Sequence, residues 1–121
     1  MYYILIAAKV IIFISIINVW FFRFNKETPY RGGGASSMKA EFATYGLPEI
    51  MVYIVGTLKV LSAIGILASI WYPQLATPAA GIMAILMIGA IIMHFKVKDD
   101  FKKSLPAASF LLLSLLIIAF S

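Results

Sequence analysis

Long apolar stretches alternate with short polar loops along the chain. Four stretches, at about 2–22, 48–71, 78–95 and 105–120, contain few charged residues. An α-helix rises about 1.5 Å per residue and the hydrocarbon core of a bilayer is about 30 Å thick, so each stretch can cross a membrane as a helix. None has the polar face expected of a soluble helix. The pattern predicts an all-α integral membrane four-helix bundle, with residues 1–121 forming a single domain.

A short amphipathic helix is predicted in the first loop. Ser36 or Ser37 can cap it, because a hydroxyl at this position accepts a hydrogen bond from the first turn. Its apolar residues recur at i, i+4 and i+7, the spacing of one helix face. They are Met38, Phe42 and Tyr45. Lys39 and Glu41 are expected on other sides of this helix, which should lie in the membrane interface or against the bundle.

Several residues are expected to begin or end helices. Gly46 follows the short helix, where a left-handed backbone favours glycine. Thr77 is expected to cap the third span, with Pro78 as its first helical residue, and Ser104 is expected to cap the fourth span. Trp20 belongs to an aromatic cluster that is typical of the membrane interface.

Small residues indicate which spans pack closely, because they let helix backbones approach in lipid. The second and third spans contain Gly56, Ala63, Gly65, Ser69, Ala80, Gly81, Ala84, Gly89 and Ala90. We therefore expect these two spans to be the most tightly packed pair. The fourth span, rich in Leu and Ile, is expected to face lipid.

The charge distribution predicts the topology. The chain is 63% hydrophobic with a net charge of +5. Because basic loops remain on the cytoplasmic side, loops 23–47 and 96–104 are predicted to be cytoplasmic and both termini to lie outside. The lipid bilayer is the expected partner, and nucleic acid is not, since no basic groove with interleaved aromatics is present. The chain has no cysteine, which excludes disulfides and thiolate metal sites.

Lys59 lies about eleven residues into the second span, close to the predicted midplane. A charged lysine there costs at least about 2.5–3.5 kcal/mol. None of the five acidic residues lies at this depth. Its amine could be neutral, snorkel, face a wet cavity, or meet a ligand or partner. Snorkelling with hydrogen bonds to Ser62 or Thr57 is the preferred interpretation. Lys9 is expected to snorkel to the outer surface.

Six polar residues are predicted to share one depth near the cytoplasmic ends of the spans. They are Asn18, Arg31, Tyr45, Glu49, His94 and Asp99. Such a set could handle protons or bind a lipid headgroup, since histidine titrates near neutrality and a carboxylate would tune it. The preferred interpretation is an interfacial hydrogen-bond cluster that closes the bundle. One histidine and one acid do not make a metal site, so none is predicted.

The segment Val55–Gly65 resembles the second-span signature of DoxX-like membrane proteins. Further similarity lies in Tyr30-Arg31-Gly32-Gly33, Tyr45-Gly46-Leu47-Pro48, Ala80-Gly81, Gly89-Ala90, His94, Asp99 and Pro106-Ala107. The resemblance covers nearly the whole chain and implies a four-helix membrane protein of the bacterial cytoplasmic (inner) membrane. Some members are named as the membrane subunit of a thiosulfate:quinone oxidoreductase, and others are tied to oxidative-stress complexes. Lys59, His94 and Asp99 match recurrent positions that have no assigned role.

Two classes of function remain open at this level. The first is a non-catalytic membrane protein that forms a homo-oligomer or joins a larger complex; it is favoured because the chain contains no complete catalytic constellation. The second is a quinone- or lipid-binding membrane subunit of an oxidoreductase system, with Lys59 or the His94 cluster meeting a polar head in an apolar pocket. No cofactor is predicted beyond a bound quinone or lipid. A transporter is not favoured, because four spans leave little room for a pathway.

Overall fold

The structure is a computed structural model that describes residues 2–22, 24, 35 and 37–120. Its five α-helices are α1 (Tyr2–Ile17), α2 (Met38–Thr44), α3 (Glu49–Ala68), α4 (Ala76–Lys96) and α5 (Leu105–Phe120). A π-helical turn, Asn18–Phe22, extends α1, and 3-10 helices at Pro73–Leu75 and Phe101–Ser104 precede α4 and α5. The predicted all-α bundle is confirmed, as is the presence of four long apolar helices.

The four candidate membrane spans are 20 to 24 residues long. They cover Tyr2–Phe22, Glu49–Ala68, Pro73–Lys96 and Phe101–Phe120. The first agrees with the predicted boundaries, and the third and fourth begin earlier because the 3-10 helices add a turn. Many isoleucine, leucine and phenylalanine side chains on all four spans are exposed. Apolar surface of this extent is suited to lipid rather than to water.

The spans form a closed ring in the order α1, α3, α4, α5, with each helix packed against the next and α5 against α1. Residues 69–75 form one end of the ring, which we call the turn end. The opposite end, formed by α2, residues 97–100 and the 3-10 helix Phe101–Ser104, is called the basic end. Fully buried side chains from all four spans meet in the centre. They include Ile12, Val52, Ile66, Met83 and Ile117. In lipid, such contacts stabilise the bundle mainly through dispersion.

The expected packing order of the spans is only partly correct. Helices α3 and α4 do approach closely, since a Cβ added to Gly65 would lie 3.0 Å from that of Ala79. However, α4 packs more extensively against α5 than against α3. Ala107, Ser114 and Ile117 form a buried face of α5, so the expectation that the fourth span simply faces lipid is wrong. Small residues determine how closely two helices approach each other. They do not determine how much surface the two helices bury against each other.

The short helix α2 forms as predicted. The Ser37 hydroxyl accepts a hydrogen bond from the backbone N–H of Ala40 at 3.1 Å. At the other end, Leu47 N–H bonds to the Phe42 carbonyl at 3.1 Å, and Gly46 N–H bonds to the Ala43 carbonyl at 3.0 Å. These two bonds form a Schellman motif, which requires a left-handed residue. Gly46 supplies it with a φ of 78°.

Two predicted caps are wrong. Helix α4 begins at Ala76 as a continuation of the preceding 3-10 helix, so Thr77 and Pro78 lie inside its first turn. Proline is tolerated there because first-turn N–H groups have no helical partner. Ser104 is the last residue of its own 3-10 helix. Its buried hydroxyl has no hydrogen-bond partner among the described residues, so it does not cap α5.

Candidate site: a cavity at the basic end

A partly open cavity of about 680 Å³ lies between the helices near the basic end, and all five helices contribute to its wall. Most of the wall is apolar and contains aromatic and methionine side chains from every side. The polar lining residues are Asn18, Glu41, Tyr45, Lys59, His94 and Lys103. A mostly apolar cavity of this size with a few converging polar groups is typical of small-molecule sites.

Trp20 forms one wall of the cavity, and Gly56 of α3 makes this position available. A Cβ on Gly56 would lie 2.5 Å from Cζ3 of the indole ring. The ring therefore occupies the space that any larger residue at position 56 would need. Trp20 is only 8% exposed, so its ring packs within the bundle instead of facing outward.

Lys59 lies one turn beyond Gly56 on α3, and its side chain bends back toward the basic end. Its Nζ lies 5.5 Å from the centre of the Trp20 ring, a cation–π contact. Such contacts contribute about 0.5–2 kcal/mol, depending on how dry the site is. The Ser62 hydroxyl donates to the Lys59 backbone carbonyl at 3.0 Å, whereas the expected bond had the Lys59 amine as donor. Lys59 thus lines the cavity, and its position on α3 is ten residues, about 15 Å along the helix axis, from Glu49.

The α2 side of the cavity contains a buried pair of polar residues. The Tyr45 hydroxyl donates a hydrogen bond to Glu41 Oε1 at 2.7 Å. Both residues are buried, at 5% and 9% exposed. The expectation that Glu41 lies on another side of α2 is wrong: it lines the cavity with Met38, Phe42 and Tyr45. Because the two residues are four apart on one helix face, the hydroxyl satisfies a carboxylate that would otherwise be costly to bury.

His94 and Asp99 form a second buried pair on the opposite side. His94 Nδ1 lies 2.8 Å from Asp99 Oδ2, and the side chains are 7% and 6% exposed. The other carboxylate oxygen lies 3.6 Å from Lys103 Nζ. His94 and Lys103 line the cavity, whereas Asp99 lies behind them. Asp99 N–H also bonds to the His94 carbonyl at 3.0 Å, so the backbone fixes the distance between the pair.

The two pairs are in contact with each other. The Tyr45 and His94 rings meet edge to face with their centres 6.0 Å apart. Lys96 Nζ donates to the Tyr45 backbone carbonyl at 2.8 Å, which ties α2 to the end of α4. Trp20 and Phe42 continue the row of rings, 6.3 Å apart. The cavity therefore has an aromatic wall that runs from Lys59 to His94.

The other predicted residues do not belong to these two pairs. Glu49 is exposed and pairs with Lys39 at 3.0 Å, away from His94. Interaction with the Tyr53 side chain and with Glu49 raises the pKa of Lys39 above its ordinary value of 10.5. Asn18 is exposed but lines the cavity edge. Arg31 lies outside the described residues. Lys9, expected to snorkel, is instead buried at 6% exposed.

The structure therefore brings together Tyr45, His94 and Asp99 of the predicted cluster and adds Glu41 and Lys103 to them. Glu41 could have been found from its spacing, because it lies three residues after Met38 and four before Tyr45. No group of three metal-ligating side chains occurs among the described residues. What the arrangement offers is hydrogen bonding at both ends of an apolar, aromatic cavity.

These features define a small multi-pass membrane protein with a partly open cavity near one end of a four-helix bundle. A sequence model of the DoxX-like family matches residues 33–117. The chain belongs to the DoxX-like family, as its resemblance to that family predicted. The chain matches no curated protein and no solved structure.

Proposed function

We propose that this protein is a non-catalytic membrane subunit that binds a quinone-like molecule in the basic-end cavity. The observation that carries the proposal is the composition of the cavity wall, in which polar groups lie at two ends of an apolar space of about 680 Å³. A ligand with a polar head and an apolar body satisfies both parts of such a site.

The wall favours a flat ring over a simple acyl chain. Trp20, Phe42, Tyr45 and Phe110 line the cavity together with methionines of α2, α3 and α4. Aromatic rings gain about 0.5–1.5 kcal/mol from stacked or edge-to-face contacts beyond the area they bury. Methionine sulfur adds favourable contacts to ring edges and adapts its shape to the ligand.

Lys59 supplies a donor for an oxygen of the ligand. Lys59 lines the cavity, and its Nζ lies 5.5 Å from the centre of the Trp20 ring. A hydrogen bond from a charged donor contributes about 1.5–3 kcal/mol. Replacing Lys59 by Met keeps an unbranched side chain that is one atom shorter and removes the donor, so the fold is expected to be preserved.

The experiment quantifies quinones and phospholipids that remain with the protein after purification in mild detergent. Wild type is expected to retain quinone, and Lys59→Met is expected to lose most of it. Lys102→Met is the matched control, because Lys102 is exposed and does not line the cavity. Equal quinone retention by all three proteins would contradict the proposal. Selective retention of phospholipid in place of quinone would assign the cavity to a lipid instead.

The role as a subunit is supported by open space on the lipid side of α4. A Cβ added to Gly81 meets nothing within 4 Å, so another helix can approach this surface closely. The partner would be a second copy of this chain or a larger membrane complex. Purification in mild detergent tests this part: a monomer with no co-purifying protein would count against it.

We further propose that the basic end faces the cytoplasm across a bacterial inner membrane. The support is the positive-inside rule, since both long loops are basic and the turn end has no Lys or Arg. The chain has no cysteine, so single cysteines can be introduced at the exposed positions Gln74 and Asp100. An impermeant thiol reagent is expected to label position 74 but not position 100 in intact cells. The reverse labelling would overturn this orientation.

A further inference from the structure

The two ring nitrogens of His94 have different surroundings. Nδ1 faces Asp99, which lies outside the cavity wall, whereas His94 itself lines the cavity. No second hydrogen bond joins the His94 ring to another described residue. Nε2 is therefore the ring nitrogen that a ligand in the cavity can reach.

Asp99 determines which nitrogen carries the hydrogen. Its carboxylate lies between Lys103 and His94, at 3.6 Å and 2.8 Å, and lysine can only donate. An ionised carboxylate only accepts hydrogen bonds, so His94 must donate from Nδ1. In a neutral imidazole this leaves a lone pair on Nε2, which accepts. Among the described residues, Asp99 is the carboxylate that pairs with the His94 ring, Tyr45 meets the ring edge to face, and Glu41 accepts a hydrogen bond from the Tyr45 hydroxyl.

We propose that His94 Nε2 accepts a hydrogen bond from a hydroxyl group of the cavity ligand, so that the cavity selects a hydroxyl-bearing ring over the corresponding carbonyl form. Asp99 acts as a positioning residue that fixes the histidine tautomer. This inference rests on the proposed binding function and names its ligand class as a hydroquinone-type ring. Lys59, as a donor at the other end of the cavity, meets an oxygen lone pair that both forms possess.

A hydroquinone and its quinone are the matched probes, because they differ mainly in whether the same oxygen atoms donate or only accept. Their dissociation constants are measured on purified protein in lipid nanodiscs, with the hydroquinone kept reduced under anaerobic conditions. Wild type is expected to bind the hydroquinone about tenfold more tightly, since a mismatched buried hydrogen bond leaves a polar group unsatisfied.

Asp99→Asn is expected to abolish or reverse this preference. Lys103 will attract the amide oxygen, which turns the amide NH₂ toward Nδ1. His94 then accepts at Nδ1 and carries its hydrogen on Nε2, which suits a carbonyl oxygen. Asp100→Asn is the matched control and should keep the wild-type ratio, because Asp100 is exposed and does not line the cavity.

The ratio of the hydroquinone and quinone dissociation constants separates a positioning role of Asp99 from a merely structural role. Both ligands are measured on the same preparation, so a fraction of unfolded protein cancels from the ratio. Should Asp99→Asn not fold, His94→Gln provides the second variant, because an amide can both donate and accept and should bind the two forms equally.

The binding measurements distinguish failure of the His94 assignment from failure of the proposed binding function. If neither probe binds wild type saturably, the proposed function fails and this inference fails with it. If both bind but the quinone is equal or tighter, or if Asp99→Asn keeps the wild-type preference, binding stands and the assignment of His94 Nε2 as an acceptor is wrong.

Discussion

Substituting Gly56 by Ala tests the packing of Trp20 against α3. An added Cβ would lie 2.5 Å from Cζ3 and 2.7 Å from Cε3 of the indole ring. Carbon atoms attract at about 3.5–4.0 Å, so the ring must move by about 1 Å. Trp20 is buried and lines the cavity, and displacing such a ring in a packed interior costs about 1–3 kcal/mol.

Gly81→Ala is the matched control for this substitution. Alanine favours a helix over glycine by about 1 kcal/mol, and this gain applies to both variants. At Gly81 the added Cβ meets nothing within 4 Å, so only the gain remains. We expect Gly56→Ala to be less stable than Gly81→Ala by about 1–3 kcal/mol, the estimated cost of the clash alone.

The assay follows unfolding in mixed detergent micelles by helix circular dichroism. A Trp71→Phe background leaves Trp20 as the sole tryptophan, because the chain has two. Its emission should shift in Gly56→Ala and remain unchanged in Gly81→Ala. Equal stabilities together with unchanged Trp20 emission would refute the packing of the ring on Gly56.

Three further substitutions test separate parts of the structure by the same unfolding assay. Tyr45→Phe removes the buried bond to Glu41 and should destabilise the protein by about 1–2 kcal/mol; wild-type stability would contradict this. Ser114→Ala should be at least as stable as wild type, because the buried hydroxyl has no partner among the described residues; a clear loss of stability would reveal one. Lys39→Met should leave the unfolding midpoint unchanged at neutral pH, since this side chain is exposed. The raised pKa of Lys39 means that any stabilisation by its charge persists below about pH 10.5 and is lost as the pH rises through the higher folded-state value. A stability difference between wild type and Lys39→Met that disappears as the pH rises from neutral while it is still below about 10.5 would contradict the assignment.

The four spans were predictable from the sequence because lipid imposes a rule that does not depend on tertiary structure. Each span must be about 20 residues long and apolar. The faces that pack were not predictable in the same way. Helix α5 has large apolar residues on both sides, with Ile117 buried and Leu112 and Leu115 exposed, so hydrophobicity alone does not separate its core face from its lipid face.

The polar site was only partly predictable. Asp99 follows His94 closely in the chain, so their proximity at one depth could be expected. Glu41 was missed because a carboxylate is normally excluded from an apolar helix face, and the hydrogen bond from the Tyr45 hydroxyl one turn later offsets part of the cost of burying it. The inward position of Trp20 depends on Gly56, which is far away in sequence. The cavity arises from the relation of five helices, which no single segment encodes.

Quenching of Trp20 by a quinone tests most directly whether the basic-end cavity binds a ligand. Trp20 lines the cavity, whereas Trp71 is 69% exposed at the turn end, roughly 20 Å away along α3. In the Trp71→Phe variant, a short-chain quinone is expected to quench Trp20 emission with a saturable curve. In the Trp20→Phe variant, quenching of Trp71 should increase without saturation, as expected for quinone dissolved in lipid. Non-saturating curves for both variants would contradict a binding site in this cavity.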